Sequence, residues 1–530
     1  MNNTATKVVG ALVVILAVLG VGSYWAGGWI EQAFRDAAAK TTQYGLTVNV
    51  IDYQRGLLGA TARTEATFTY NGEPVTVLLN HDIQHGPLPA LTAAARVHTV
   101  PELPEDRVAQ FNDIFGGDPF GGKPPFTVDT AIGWGGGINH HIVSPKFEAT
   151  IREDKTRVVW GGLNADVEIN SAQTHVRTRA NVAGLDMVKS EDNQLKLGHL
   201  ELEGEFDLNE LESYGLVGGK WEMEVDKFLM RAKDDESPAR AIEVQAFKGD
   251  MRTDFADGAL NVTTHLGADK IALDGDRETI GDAKLTFQSE NLDVKALEVL
   301  SQAAQSQEED LDGEALDALS QQAAQESGQK LDPKQVEAIA RAASAANAES
   351  SPALAAAAAE VDEDTPFLNT PEQLAALQEL AKRKPAFSIS DASGRWPEGE
   401  VKAAMRIAYV GKPDGAKPAT PVDSVIGLAD LAADVRMTLP RALVARLLTV
   451  QVSDEVADTL EDDEASEENV QKVTKEQVEQ RIQEMLGEKL LVEKDGALSL
   501  EANYHNDQLR LNGNKAPLES LLGLLPLLPF

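Results

Sequence analysis

The feature that most constrains this chain is the run from Val8 to Ile30, VVGALVVILAVLGVGSYWAGGWI, which holds 23 consecutive residues without a charge. The hydrocarbon core of a bilayer, about 30 Å thick, needs roughly 20 apolar helical residues to cross it. The run is therefore long enough to span a membrane, whereas the rest of the 530-residue chain is polar enough to be soluble. We expect this segment to decide the compartment in which the remaining residues fold.

Two interpretations of this run remain open. As a cleaved signal peptide it offers Lys7, an apolar stretch and the small residues Gly20 to Gly22 as a cleavage site. As a signal anchor it continues through Trp25 and Trp29, which suit the aromatic belt of a membrane interface. Its length favours the anchor, with residues 1–7 in the cytoplasm. The residues expected to contact the bilayer are Val13, Val14, Ile15, Leu16, Trp25 and Trp29.

The composition excludes several classes of function. Cysteine is absent, which removes disulfides, thiolate metal sites and cysteine nucleophiles. The chain carries 85 acidic against 48 basic residues, a formal charge of −37, so binding to nucleic acid or to anionic headgroups is disfavoured. Such a surface serves solubility, with adaptation to high salt as the second interpretation.

The hydrophobic pattern divides the chain into successive segments. A juxtamembrane helix is predicted for 31–44, and from residue 45 to 291 the pattern alternates with a period of two, which is typical of strands. Asn71-Gly72 is a strong hairpin signal within that region. Within residues 80–145 the pattern is less regular, with short helices predicted at Leu88–Val97 and Asp106–Phe115 and a strand from Phe126.

The second half begins with a change of composition. Residues 292–384 are rich in Ala, Gln and Glu and predict a helical insertion, ordered or partly disordered, in which Thr370 caps a helix that begins at Pro371. Residues 385–530 return to strands, with a short helix predicted from Ala442 to Val450. That region also contains a solvated acidic loop at 454–468, an amphipathic helix at 470–486 and an apolar tail that docks on the protein or on an interface.

These patterns predict a mainly β (α+β) protein: a transmembrane helix, then an elongated, curved antiparallel sheet or sandwich with an Ala-rich helical region. Short strands without regular intervening helices argue against βαβ units. Periodicity cannot say what covers an apolar strand face, so an ordinary core and an open groove remain equal alternatives. The residues singled out as groove-facing are Phe68, Tyr70, Val75, Val77, Leu79, Phe147, Ile151, Val167 and Ile169.

No motif predicts catalysis, a cofactor or a metal site. Gly117 to Lys123 matches G-x4-G-K, but Pro124-Pro125 follows instead of the Ser or Thr and the helix that a P-loop needs. The histidine pair His81 and His85 is followed by Gly86-Pro87, which argues against the helix that i, i+4 zinc ligands require. His140-His141 has no nearby carboxylate motif. We therefore predict that the protein is not an enzyme.

Four irregular stretches resemble landmarks of the YdgA-type family of bacterial inner-membrane proteins. They are DYQRGLLGATARTEATF (Asp52 to Phe68), HDIQHGPLP (His81 to Pro89), PFTVDTAIGWGG (Pro125 to Gly136) and NDQLRLNGNKAPLESLLG (Asn506 to Gly523). The resemblance implies an N-terminal anchor, a large periplasmic β-rich domain and self-association. It also implies a distant similarity to AsmA-like proteins, whose long sheets form apolar grooves linked to lipid transfer.

Two functions follow as hypotheses. In the first, an inner-membrane protein with most of its chain in the periplasm holds or transfers lipid acyl chains along an apolar β-groove. In the second, the sheet closes on itself and the protein acts as a homodimer or scaffold in the envelope. Neither requires a cofactor or nucleic acid.

Overall fold

The fold is described from a computed structural model. It covers residues 46–55, 59–70, 73–85, 93–102, 105–208, 218–233, 240–274, 278–300, 370–411, 430–459, 467–517 and 520. The predicted anchor, juxtamembrane helix and apolar tail, and most of the Ala-rich insertion, lie outside these residues. Among the described residues no helix is both long and apolar enough to cross a bilayer.

The described residues form 24 strands and four helices with defined bounds. The strands are β1 (Leu46–Arg55), β2 (Gly59–Tyr70), β3 (Glu73–His85), β4 (Ala95–Glu102), β5 (Thr127–Ile132), β6 (Ile138–Ser144), β7 (Phe147–Thr150), β8 (Arg157–Trp160), β9 (Leu163–Ile169), β10 (His175–Val182), β11 (Leu185–Ser190), β12 (Asn193–Leu197), β13 (Leu200–Asp207), β14 (Gly218–Ala232), β15 (Arg240–Ala256), β16 (Ala259–Leu273), β17 (Glu278–Asp293), β18 (Ala386–Trp396), β19 (Gly399–Tyr409), β20 (Leu431–Pro440), β21 (Val492–Lys494), β22 (Ala497–His505), β23 (Gln508–Leu511) and β24 (Asn514–Ala516). The helices are α1 (Glu105–Phe115), α2 (Pro371–Arg383), α3 (Arg441–Thr459) and α4 (Glu467–Gly487). Residues 294–300 are also helical.

All the strands belong to one antiparallel sheet. Each strand pairs with the next one in sequence from β1 to β6 and from β14 to β20. Between these two stretches the pairs are β6–β9, β9–β10, β10–β13 and β13–β14 on one side and β7–β8, β8–β11, β11–β12 and β12–β14 on the other. Such a meander is built from hairpins and local connections, as the dense short-strand pattern predicts. The predicted mainly β fold with an antiparallel sheet is therefore confirmed.

Four adjacent strands of this meander are interrupted at the same level. The interruptions lie at Pro145-Lys146, Gly161-Gly162, Ala183-Gly184 and Gly198-His199. Pairing keeps its register across them, since Ser144 pairs with Leu163 on one side and Phe147 with Trp160 on the other. Gly162 has φ +100°, and a Cβ there would lie 3.0 Å from the carbonyl oxygen of Ser144, so glycine is needed at this point.

The first strands bury much of one face in a shared core. Apolar side chains of β1, β2 and β3 pack in one cluster with side chains of β5, β6, β9 and β10, around Phe126 and Ile142. A second cluster around Ile83 and Val97 adjoins it. We call these two clusters the N-terminal core.

The last strands bury the same face under helices. Val444 and Val452 of α3 and Ile482 of α4 pack with Leu439 and Leu498 of the sheet in a single cluster, the C-terminal core. Two arginines of α3 form ion pairs at the edge of the two helices that pack on the sheet. Arg441 contacts Glu479 and Glu493, and Arg446 contacts Glu278 and Glu398.

Several local predictions are confirmed. Tyr70 pairs with Glu73 across the Asn71-Gly72 hairpin. The capping box of α2 is present in both directions, because the Thr370 hydroxyl accepts from the Gln373 amide and the Gln373 side chain accepts from the Thr370 amide. The helices predicted at Asp106–Phe115 and 470–486 correspond to α1 and α4.

Two local predictions are wrong. The helix expected at Leu88–Val97 is replaced, from Ala95 onward, by β4, whose residues Ala95 to Glu102 alternate between buried and more exposed positions and pair with β3 and β5. The short helix predicted at Ala442–Val450 instead continues to Thr459, and α4 starts at Glu467, so both ends of the expected acidic loop 454–468 are helical. Packing of the fully buried Val452 carries α3 into the acidic stretch.

Candidate functional site

One row of directly paired residues crosses the sheet from β2 to β23 and samples its apolar face. Directly paired residues of antiparallel strands point to the same side of a sheet. In order, the row consists of Ala60, Ile83, Val97, Thr130, His140, Val167, Thr178, Gly204, Trp221, Met251, Thr264, Phe287, Ile389, Met405, Val435, Ala502 and Leu511. A single apolar face therefore continues through both cores and the strands between them.

Burial along this row changes in the middle of the sheet. Ile83 and His140 are 0% and 1% exposed in the N-terminal core, and Leu511 is 2% exposed in the C-terminal core. Between them Phe287 is 37% exposed. In the next row Phe387, on the neighbouring strand β18, is 43% exposed. Large aromatic side chains thus meet solvent at the centre of an otherwise buried face.

The half-exposed part extends over seven strands, β13 to β19, and we call it the central face. At the usual spacing of about 4.8 Å, seven strands are roughly 30 Å wide. Val225, Leu260, Leu292 and Val401 of these strands are buried. Its partly buried or exposed large apolar residues include Leu202, Phe206, Trp221, Met223, Phe247, Met251, Leu266, Leu285, Phe287, Phe387, Ile389, Met405 and Ile407. Large exposed apolar patches are uncommon on monomeric soluble proteins, which makes this face the candidate surface.

The aromatic rings of the central face lie against the sheet. A Cβ at Gly204 would come within 2.8 Å of the ring of Phe206 and of the hydroxyl of Thr178, so the ring of Phe206 covers the bare backbone of Gly204. Leu266 and Phe247 similarly lean over Gly249. This packing presents ring faces, and few polar backbone groups, to whatever contacts the surface.

The opposite face of the same strands is charged and internally paired. Arg179 contacts Glu203, Lys248 contacts Glu224 and His265 contacts Asp250. The guanidinium of Arg177 holds the pKa of the exposed Glu205 below its usual value by a hydrogen bond. The two faces therefore differ sharply, and the apolar one is the candidate binding surface.

One end of the central face is closed by helices. Leu380 of α2 and Leu297 of the helical segment 294–300 pack with Leu260 and Leu292 at the ends of β16 and β17. Arg383 of α2 contacts Asp293 at the same margin. The other margin adjoins the C-terminal core, where α3 begins to cover the sheet.

The groove-facing residues expected from the sequence lie outside the central face. Val77, Leu79 and Val167 are buried in the N-terminal core, with Val75 and Ile169 partly buried against it. Phe147 and Ile151 lie in a smaller cluster with Ile114 and Phe115, and the ring of Phe120 packs edge-on against that of Phe147 at 4.9 Å. Phe68 and Tyr70 belong to β2, and their side chains lie outside the description.

The strands of the central face share the alternation of apolar and polar residues that predicts strands over residues 45–291 and 385–530. Alternation is identical in covered and uncovered strands, so it could not single out Met223, Phe247 or Phe287. The regions differ in how helices pack on them. The helices α3 and α4, between β20 and β21, pack on the C-terminal core, whereas α2, between β17 and β18, packs at the margin of the central face.

No group of His, Asp and Glu among the described residues could hold a metal ion, and the side chain of His85 lies outside those residues. His81 and His140 point into the N-terminal core, where burial lowers the pKa of each imidazole to about 4. His141, next to His140, lies on the opposite face and contacts Asp166.

The glycine-rich stretch Gly117 to Lys123 is a loop held by one of its own side chains. The carboxylate of Asp118 accepts from the amides of Phe120 and Gly122. Those two amides therefore donate to Asp118 within the loop.

Neither the curated proteins nor the solved structures give a match to this chain. A family model described as "Bacterial protein of unknown function (DUF945)" matches residues 1–519. That span includes every strand and helix described above. The chain therefore belongs to the bacterial family DUF945, whose function is unknown.

Proposed function

We propose that this protein is a non-enzymatic envelope protein that holds or transfers lipid acyl chains along the central face. The single observation that carries the proposal is the partly exposed apolar surface spanning β13 to β19, in which Phe287 on β17 and Phe387 on β18 are the most exposed aromatic side chains. Transfer of apolar surface from water is favourable by about 0.8 kcal/mol for each buried methylene. An acyl chain lying on this surface would bury both its own methylenes and the aromatic rings beneath it.

The membrane anchor supplies the location. We infer that Val8–Ile30 spans the bacterial inner membrane and that the sheet lies in the periplasm, because the run is long enough to cross a bilayer. In this arrangement the sheet is elongated and curved, as in the YdgA-type and AsmA-like proteins that the sequence resembles. An anchored sheet with one apolar side provides a path for acyl chains that leave the bilayer.

A lipid suits this face better than a polar ligand. The central face carries apolar rings and aliphatic groups, and its small polar members, Thr253, Thr264 and Ser289, are neutral. A polar ligand would lose its hydration there without gaining the hydrogen bonds that replace it.

The alternative function is self-association through the same surface. Two sheets pack face to face about 10 Å apart, so a second copy of the central face would also bury it. This alternative predicts a protein adduct where the lipid proposal predicts a lipid adduct.

Site-specific photo-crosslinking in native membranes separates these functions. The photo-reactive residue p-benzoylphenylalanine is placed at position 387 of the full chain, and at position 492 as a matched control, since Val492 is also an exposed apolar residue but lies on β21. We expect lipid-sized mass additions at position 387 and not at position 492. A crosslinked dimer at 387 would favour the scaffold, and the absence of any lipid adduct would refute the lipid proposal.

A further inference from the structure

A band of polar side chains crosses the interior of the N-terminal core. Thr64, His81, Thr99, Thr130 and His140 lie on the buried face of β2 to β6, between the cluster around Phe126 and the cluster around Ile83. The three threonines and His140 are each at most 5% exposed. Burying a polar side chain costs free energy unless the side chain is hydrogen-bonded. The hydrogen-bond partners of these side chains therefore decide whether the core can hold a protonated histidine.

The two histidines of this band are paired differently. The ring nitrogens of His81 both have hydroxyl partners, Thr64 Oγ1 and Thr99 Oγ1, at 2.9 Å. His140 Nδ1 contacts Thr130 Oγ1 at 2.8 Å, but its Nε2 is buried without a partner. A protonated imidazole needs two acceptors. The hydroxyls beside His81 can supply both, whereas His140 would leave one N–H unsatisfied.

No described side chain of this face in β1 to β6, β9 and β10 is an acid that could neutralise a positive charge on His140. The described ionisable side chains of the face in these strands are Tyr53, His81 and His140. The residues directly beside His140 in the sheet are Thr130 and Val167 on the adjacent strands and Ile138 and Ile142 on its own strand. The charged residues of the same strands, His98, Asp129, His141 and Asp166, lie on the opposite face of the sheet.

We propose that His140, assisted by His81, is an acid-sensitive lock: protonation of the two rings opens the N-terminal core and exposes its apolar face while the C-terminal core stays closed. The one histidine among the described residues of β20, β22, β23, α3 and α4 is His505, which is exposed and contacts Asp434, so the C-terminal core contains no buried histidine among these residues. The proposal concerns a different region from the central face and does not depend on lipid binding.

The direction of the effect follows from proton linkage. Burial lowers the pKa of both rings to about 4, from 6.5 in the open chain. The open state therefore binds more protons between pH 4 and pH 6.5. Within that window the equilibrium constant for opening rises by about tenfold, for each histidine that protonates, with every unit by which the pH falls. Above pH 6.5 the neutral rings stabilise the closed core fully.

Hydrogen exchange of the full chain in detergent tests the lock. Exchange is followed peptide by peptide between pH 4 and pH 6.5 and corrected for the intrinsic rate. In the wild type, the corrected exchange rate of peptides covering β5 and β6 should rise by up to about a hundredfold for each unit by which the pH falls, because two histidines contribute. Peptides covering β22 should keep their protection over the same range.

Two adjacent histidines give a matched pair of variants. His140→Leu should reduce the pH dependence of exchange in β5 and β6 to about tenfold per pH unit. His141→Leu, on the outer face of the same strand, should leave that pH dependence unchanged. If His140→Leu fails to fold, His140→Gln retains a partner for Thr130 without a titratable ring. The proposal is overturned if the His140 variant keeps the wild-type slope, if His141→Leu removes it, or if both cores open together.

Discussion

The central strands and the C-terminal core carry the same alternation of apolar and polar residues, but among the described residues helices pack over the apolar face of the C-terminal core alone. Phe287 and Phe387 are 37% and 43% exposed, while Leu439 and Leu498, on strands β20 and β22, are 2% and 1% exposed. The difference comes from α3 and α4, which the chain inserts between β20 and β21. Alternation decides which side of a strand is apolar, and the connections between strands decide whether that side is covered.

The helices α3 and α4 pack on the C-terminal sheet through buried apolar side chains and not only through surface contacts. Val444, Val452 and Ile482 on the helices are all fully buried against the sheet. The arginines at its margin contribute less, because partly exposed ion pairs are worth roughly 0.2–1 kcal/mol. Stability in this region therefore resides in apolar contact.

The largest expected effect is the loss of that contact. Ile482→Ala removes buried methyl groups and leaves a cavity under α4, which should lower the free energy of unfolding of the C-terminal core by about 2–5 kcal/mol. Urea unfolding followed by hydrogen exchange of β22 peptides measures the change. The comparison between regions would fail if this variant were no less stable than one truncated on the central face.

A second effect appears at alkaline pH. The hydroxyl of Tyr504 donates a hydrogen bond to the Asp507 carboxylate. Burial, as the larger cause, and this hydrogen bond raise the pKa of the phenol to about 12. A group whose pKa is raised on folding contributes stability below its unfolded pKa of 10 and loses it as the pH rises toward 12. The loss should reach about 2 kcal/mol.

Tyr504→Phe isolates this contribution. The variant should remove the loss of stability of the C-terminal core that Tyr504 causes between pH 10 and 12, and the phenolate absorbance of the folded protein should lose one tyrosine that titrates near pH 12. Tyr409, at the end of a central strand, has its pKa raised by burial as well and serves as the control. An unchanged alkaline profile in the Tyr504 variant would mean that its hydroxyl is already solvated.

Local chemistry made much of the fold predictable. Thr370, Pro371 and Gln373 define the start of α2 by capping geometry alone, and Asn71-Gly72 places a hairpin, because in both cases the signal lies within a few residues. The prediction of a loop at 454–468 was wrong at both of its ends, because a run of acidic residues locally favours a loop. Packing of the buried Val452 against the sheet instead stabilises the helix α3, which continues to Thr459. Tertiary packing overrode the local preference there.

The candidate surface was beyond the reach of local pattern. Val77 and Phe287 both occupy the apolar side of an alternating strand, but one is buried in the N-terminal core and the other meets solvent. What separates them is contact with distant strands or helices, which no window of a few residues contains. Sequence reasoning consequently identified an apolar face, and the groove-facing residues that it predicted lie before β10.

The smallest effect provides the sharpest test of the comparison. Phe387→Ala removes a large ring, a change that costs about 3–5 kcal/mol in a packed core. Because 43% of Phe387 is already exposed and nothing described lies over it, we expect the free energy of unfolding to change by less than about 1 kcal/mol. Urea unfolding of this variant beside Ile482→Ala measures both regions under identical conditions. A loss above about 2 kcal/mol would show that the central face is covered in solution. A near-neutral result, together with a lipid adduct at position 387, would mean that the ring is retained for binding and not for stability.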